Sequence, residues 1–325
     1  MAKWLKKVYT LLNPSPERRQ AYREGLRKLY LVLNKYSGGA LGVLRHCLTN
    51  FSIARAPEAS AALSYYAIFS IFPILLVIVT VASFFVEQEV VRFQLLDIIT
   101  QVMPISTVTV NEYIDAVLQA RGAVTLFALL SLLWSASNVF DRTILNINRA
   151  FPQGQRPGFF QSRAMALAML LALFVLFVLS LGIDALIEVV PALDFKIMGT
   201  PLTQTTLWGW LAILLPLLMK FLLFLGVYTW VPRSVHLHPR ARVVGSLVAA
   251  VLWDLVTYLL TWSIASGFTD YKLVYGSLGS IIALLFWLYL SAYILFFGAH
   301  LVNAINYQIR EKAEAKLKRL EEAPA

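Results

Sequence analysis

The sequence predicts an all-α, polytopic membrane protein with six transmembrane helices and amphipathic helices lying at the membrane surface ahead of them. Three observations predict it. Hydrophobic residues make up 59% of the 325 residues and charged ones only 14%, where a soluble domain carries roughly a quarter. Apolar stretches of about twenty residues, the length that crosses a bilayer as a helix, occur at 59–86, 123–140, 165–190, 207–231, 243–264 and 277–302. All but five of the 28 Lys and Arg lie before the first stretch, in the connections 141–164 and 232–242, or after the last. The exceptions are Lys220, inside a stretch, and Arg92, Arg121, Lys196 and Lys272 on the opposite side. Basic residues stay on the cytoplasmic side of an inserted chain, so both termini are expected in the cytoplasm. The same asymmetry accounts for the net charge of +10 without a nucleic acid partner.

The chain divides into a basic, cytoplasmic or interfacial region at 1–58, a membrane domain at 59–306 and a charged tail at 307–325. The first nineteen residues are basic, and their apolar run is short and broken by Pro14 and Pro16, unlike a cleaved leader. Tyr22, Leu26, Leu29, Leu33 and Tyr36 recur at helical spacing among Arg23, Arg27, Lys28 and Lys35. Ser37-Gly38-Gly39 breaks that helix, and Leu41, Leu44, Leu48 and Phe51 start another stripe. Such helices fit the headgroup layer, apolar side down and basic side toward anionic phospholipid headgroups; packing on the inner end of the bundle is the alternative. The external connection 87–122 shows helical periodicity at Val91, Leu95, Ile98 and Val102, then a second piece from an Asn111 cap to Gly122. In the tail, Glu314 and Lys318 are spaced to pair on a solvated helix. The single cysteine, Cys47, leaves no internal disulfide and no paired metal ligands, and reads as a small packed residue.

Charges inside the apolar stretches carry the functional signal. Lys220 lies about eleven residues from the inner end of its stretch and thirteen from the outer, some 15 Å or more at a rise of ~1.5 Å per residue, farther than a lysine stem comfortably reaches. Asp254 occupies a matching depth in the next, antiparallel stretch, so a Lys220–Asp254 pair is expected. It either fixes the helix arrangement or lines a pathway for substrate or ion. Ser131, Ser135, Asn138 and Arg142 fall on one face of the second stretch, leading toward the cytoplasm. Asp184 lies about two turns inside the outer end of the third, with Glu188 at the interface. Pro73 and Pro216 each interrupt a stretch, the first and the fourth. They mark equivalent positions if the molecule is two inverted three-span halves, or simple kinks held by neighbouring helices.

The segments "ALSYYAIFSIFPILLVI", "VPRSVHLHPRARVVGSLVAAVLWDL" and "VYGSLGSIIALLFWLYLSAYILFFGAHLVNAIN", in that order, resemble the YihY/BrkB family of bacterial inner-membrane proteins, formerly labelled ribonuclease BN. The resemblance covers residues 59–306, and Tyr275–Ser280 with Trp287-Leu288-Tyr289 is its most specific part. One departure is His300, where the family pattern has an acid after Gly298-Ala299, so any chemistry at that position does not carry over. The resemblance implies a bacterial inner membrane, and three labels compete within the family: envelope or virulence factor, ribonuclease in tRNA processing, and exporter of lipid or solute.

The residues weigh between these labels. A nuclease clusters carboxylates or histidines to hold metals or move protons, whereas Glu17, Glu24, Glu58 and the tail glutamates are scattered, and nothing completes a metal site around His236 and His238. The sequence contains no HExxH, no nucleophile elbow and no GxxxxGK[ST] loop. The expected function is transport or flipping of an amphipathic, anionic lipid-linked or small organic substrate, with no cofactor or metal. Arg142, Arg149 and Arg233 at the cytoplasmic mouth would gather the anion, and Lys220 would be its midplane stop. A non-transporting scaffold of envelope assembly is the alternative. Membrane lipids are the expected partners, and self-association is compatible with the chain.

Overall fold

The computed structural model of the protein describes residues 24, 30–82, 126–152, 158–172, 175, 196–197, 200–201, 206–232, 235–266 and 278–322. After a helical segment at 30–36 come α1 (Ala40–Ile53), α2 (Ala56–Ala82), α3 (Leu126–Arg149), α4 (Phe159–Ala172), α5 (Thr206–Trp230), α6 (Pro239–Ala265) and α7 (Gly279–Glu321). The described residues are helical but for turns and one short antiparallel ladder, β1 (Lys196–Ile197) with β2 (Thr200–Pro201), pairing Lys196 with Pro201 and Ile197 with Thr200. The ladder lies in the connection between the third and fourth apolar stretches.

Helix α7 is the spine. Helices α6, α2 and α1 pack along it, with α5 packing on α6, α3 packing on α2, and both also touching α7. Among the described residues, Pro239–Ala265 and Ile281–Glu321 are long and apolar enough to cross a membrane, with mean hydropathies of 2.0 and 2.2. Phe159–Ala172 and Leu214–Trp230 are shorter apolar helices. The outward faces are apolar too: Leu214, Leu218 and Leu222 on α5, and Leu247, Val251, Leu255 and Trp262 on α6, are all exposed. Contiguous apolar surface of this kind is solvated by hydrocarbon rather than by water.

The helices run past the ends of the apolar stretches. The charged residues of the tail continue the last apolar helix, α7 running unbroken for 43 residues from Gly279 to Glu321. No Gly or Pro interrupts it between Gly298 and Pro324, so nothing stops helical propagation where the polarity changes. At ~1.5 Å per residue it is about 64 Å long, twice a hydrocarbon core of ~30 Å. Helix α3 continues nine residues past the expected end at Phe140 to Arg149, again through a stretch free of Gly and Pro. Helix α6 starts inside the expected connection: Pro239 supplies its first turn and His238 caps it, Nδ1 accepting from the Arg240 N–H at 3.2 Å. Neither Pro73 nor Pro216 ends its helix; a missing N–H removes one bond, and the neighbouring turns hold.

The stripe expected on α1 is shifted. Val43, Cys47 and Phe51 are buried against Leu301 and Ala304 of α7 and their neighbours, while Leu44 and Leu48 face outward. One side of α1 therefore packs on the bundle and the other stays apolar and open. The helix break at Ser37–Gly39 is real: Gly38 and Gly39 have φ of 63° and 99°, and their carbonyls accept from Lys312 Nζ at 3.1 Å and Gln308 Nε2 at 3.0 Å. The N-terminal platform is thus clasped to the extension of α7.

Cys47 is fully buried and donates its S–H toward the Phe297 carbonyl at 3.9 Å. Burial pushes its thiol up to about 12. Thiolate is the reactive form, so maleimide should leave the folded protein unlabelled at about pH 8 and label it on unfolding, read by mass spectrometry. The stability gained by keeping this thiol neutral is complete below its ordinary value of 9.0 and is lost as pH climbs from there toward 12, at up to about 1.4 kcal/mol per pH unit.

Candidate functional site

Helices α5 and α6 lie side by side because both are apolar and joined by a short connection, and a proline-started first turn sets the direction of α6. This brings Lys220 of α5 onto Asp254 of α6, with Nζ donating to Oδ1. The side chains remain 36% and 40% exposed. An aromatic seam flanks the pair: Phe224, one turn after Lys220, meets Trp253 edge-on at 5.7 Å, and Trp253 meets Trp287 of α7 edge-on at 5.9 Å. The seam fixes Trp253, and with it the adjacent Asp254, on the α5–α6 crossing.

The face expected on α3 lies elsewhere. Helix α3 packs on α2, whereas α5 packs on α6. Arg142 stands over the Tyr66 ring at 5.8 Å, a cation–π contact, and Asn138 is half-buried nearby. Neither is joined to the Lys220–Asp254 pair by a described contact. Arg149 is exposed and donates from Nη1 to Asn146 Oδ1 at 2.8 Å, and Lys35 is exposed on the platform. Arg23, Arg27, Lys28, Asp184, Glu188, Arg233 and the connection 87–122 lie outside the described residues, as do the side chains of Ser131, Ser135 and Pro73.

The match to known families decides the lineage. The virulence factor BrkB family matches residues 47–323. The chain belongs to this family. Among BrkB-family relatives, it is 23% identical over 270 residues to the ribonuclease-like protein YfkH of Bacillus subtilis (strain 168), covering 82% of this chain and 96% of that one. It is 26% identical over 268 residues to a UPF0761 membrane protein of Haemophilus influenzae (strain 86-028NP), covering 81% and 94%. A UPF0761 membrane protein of Psychrobacter sp. (strain PRwf-1) is 26% identical over 281 residues, covering 85% of this chain and half of the relative. No solved structure matches the chain. It is a membrane protein of the BrkB family.

Sequence reasoning missed a polar knot where α3 and α4 meet in this BrkB-family bundle. Ser162 Oγ donates to Asp141 Oδ1, and Arg163 Nη1 donates to the buried Ser137 Oγ at 3.0 Å. Asp141 and Arg163 fall in the connection 141–164 between the apolar stretches. The signal available was the absence of any helix breaker between Phe140 and Arg149.

Proposed function

We propose that the protein crosses the bacterial inner membrane six times with both termini cytoplasmic, and moves an amphipathic, anionic lipid-linked or small organic substrate across it. The observation that carries this reading is the Lys220–Asp254 pair, which links two apolar helices near their middles while more than a third of each side chain stays exposed. A charge pair that served only packing would be sealed by its neighbours, since an unsealed charge in hydrocarbon is costly. One left open calls for water or a charged ligand beside it. The free direction of Lys220 suits an acidic headgroup that displaces part of the Asp254 contact as it passes. The remaining basic residues, Arg142, Arg149 and Arg233, gather anions at the cytoplasmic mouth.

The ribonuclease-like name belongs to the Bacillus relative. For this chain we keep the transport reading, because its paired charges lie within apolar helices that no polynucleotide reaches. The test is reconstitution of purified protein into liposomes containing a fluorescent anionic lipid analogue, with external quenching to follow its movement between leaflets. Flux should exceed that of empty liposomes and should fall at least about tenfold in Lys220→Gln. Stable, monodisperse protein that binds envelope partners and gives no flux would replace this reading with an assembly scaffold.

A further inference from the structure

Helices α1 and α6 both pack on α7 and hardly touch one another. What joins them is Val248 of α6, which packs on the cluster formed by Val43 and Cys47 of α1 with Leu301 and Ala304 of α7. Successive residues of a helix turn by about 100°. Leu44 and Leu48, each one position after the buried Val43 and Cys47, therefore turn to one flank of α1. His46 and Asn50 turn to the other, where His46 stacks on Tyr307 at 4.6 Å. On α6, Val244, Val248, Val251 and Leu255 form one stripe, turned away from the side on which Trp253 meets Phe224 of α5. Leu44, Leu48, Val244, Val251 and Leu255 are all exposed. The two rows thus flank an apolar groove floored by Val248, Leu301 and Ile305. From Val244 to Leu255 it runs about 16 Å at ~1.5 Å per residue, half of a hydrocarbon core of ~30 Å and so one leaflet deep.

The boundaries of the groove say what fills it. The outermost side chains of α1, Arg45, Thr49 and Ser52, are polar and exposed, so Leu44 and Leu48 are apolar on the flank and not on the outside. At its deep end the groove continues into Tyr258 and Trp262 of the same α6 stripe, both exposed on the hydrocarbon-facing surface. At its shallow end two exposed basic residues converge. Arg240 heads the α6 stripe, and Lys312 follows Leu301 and Ile305 on one face of α7. Lys312 donates one N–H to the Gly38 carbonyl at 3.1 Å and has two more to give. The carboxylates of this part of α7, Glu311 and Glu314, turn to the other flank, where they line a cleft with Asn50 and Phe151. A peptide in the groove would leave backbone N–H and C=O groups unmet among Val and Leu. A neutral lipid would leave the two cations at the mouth unanswered.

We propose that the groove between α1 and α6 holds an anionic phospholipid of the leaflet that meets the polar extension of α7. An acyl chain lies between Leu44 and Leu48 on one side and Val244, Val251 and Leu255 on the other, and the phosphate meets Arg240 and Lys312. The bound lipid fills the gap beside α1 and ties the N-terminal platform to α6. The inference rests on the membrane assignment and not on transport.

The probe is palmitoyl-oleoyl phosphatidylglycerol, offered to delipidated full-length protein in detergent with an equal amount of phosphatidylcholine carrying the same chains. Retained lipid is read by native mass spectrometry. Phosphatidylglycerol should be favoured at least about fivefold, the effect of one basic group on an acidic headgroup. Arg240→Gln/Lys312→Gln changes only exposed side chains and should bring the ratio close to one, while Lys318→Gln, on another face of the α7 extension, should leave it unchanged. Val244→Trp fills the groove from an exposed position and should lower retention of both lipids at least about threefold. Equal retention of the two lipids by the unaltered protein, or a preference that survives Arg240→Gln/Lys312→Gln, overturns the proposal. A protein dimer that retains no lipid would place a second copy in the groove and overturn it equally. Retention is read without flux and with Lys220 in place, so its outcome is separate from that of the transport test.

Discussion

Asp254→Asn alone should cost the folded protein about 2–3 kcal/mol and abolish flux, because it strands the Lys220 ammonium in an apolar bundle. Each single neutralisation leaves one unmatched charge near the middle of α5 or α6, and insertion data place such a charge at ~2.5–3.5 kcal/mol in a helix centre. The observed exposure of 36% and 40% tempers that figure, since a partly hydrated ion keeps some of its solvation. Lys220→Met/Asp254→Leu removes both charges and retains much of the volume. Its stability should return to within about 1 kcal/mol of the parent, as replacing whole ion pairs by apolar groups often does. Transport should not return with it. Thermal unfolding in detergent and liposome flux, measured on the parent, Lys220→Gln, Asp254→Asn and the double variant, separate the two roles. Recovery of flux in the double variant would make the pair a structural clamp and remove it from the pathway.

The position of these two residues near the middles of their helices was legible in the sequence, and because hydrocarbon penalises charge strongly, position along an apolar stretch alone marks them out. Their contact follows from the short connection and the antiparallel run of α5 and α6. What the sequence could not reveal is lateral: that Arg142 turns to Tyr66 on α2 depends on which helices become neighbours. Helix periodicity also leaves an uncertainty of one residue on α1, where Leu44 and Leu48 are as apolar as the buried set Val43, Cys47 and Phe51. Only the shape of α7 chooses between them. The bond from the His238 N–H to Asn306 Oδ1 was invisible for a different reason. Asn303 and Asn306 are unremarked polar residues at the edge of a span, and the direction of Asn306 is set by a backbone N–H from residue 238, a partner that composition and spacing do not reveal.

Gly298→Ala should be the most damaging single-methyl change, and the reason is the three-helix crossing beside the aromatic seam. Tyr228 of α5 is fully buried and donates its hydroxyl to the Leu295 carbonyl of α7 at 2.8 Å. A Cβ at Gly298 would fall on that hydroxyl, lie 2.8 Å from Tyr228 Cζ and come within 3.0 Å of Ala249 Cβ on α6. Small residues at such a crossing let backbones approach closely, which is what associates helices where lipid removes the hydrophobic drive. Overpacking alone costs about 1–3 kcal/mol, and displacing Tyr228 from its carbonyl adds about 1 kcal/mol. A total loss of about 2–4 kcal/mol is therefore expected. Tyr228→Phe takes away the atom that collides first, so the double variant should be more stable than the sum of its singles predicts, by at least about 1 kcal/mol. Gly226 of the same helix α5 is the control, since nothing lies within 4 Å of a Cβ built there. Gly226→Ala should gain roughly 0.5–1 kcal/mol by limiting the unfolded backbone. Denaturant titration of the four variants in one detergent reads all of these differences. Should Gly298→Ala prove as harmless as Gly226→Ala, the α5–α6–α7 crossing is looser than drawn, and Asp254 loses the rigid frame that aims it at Lys220.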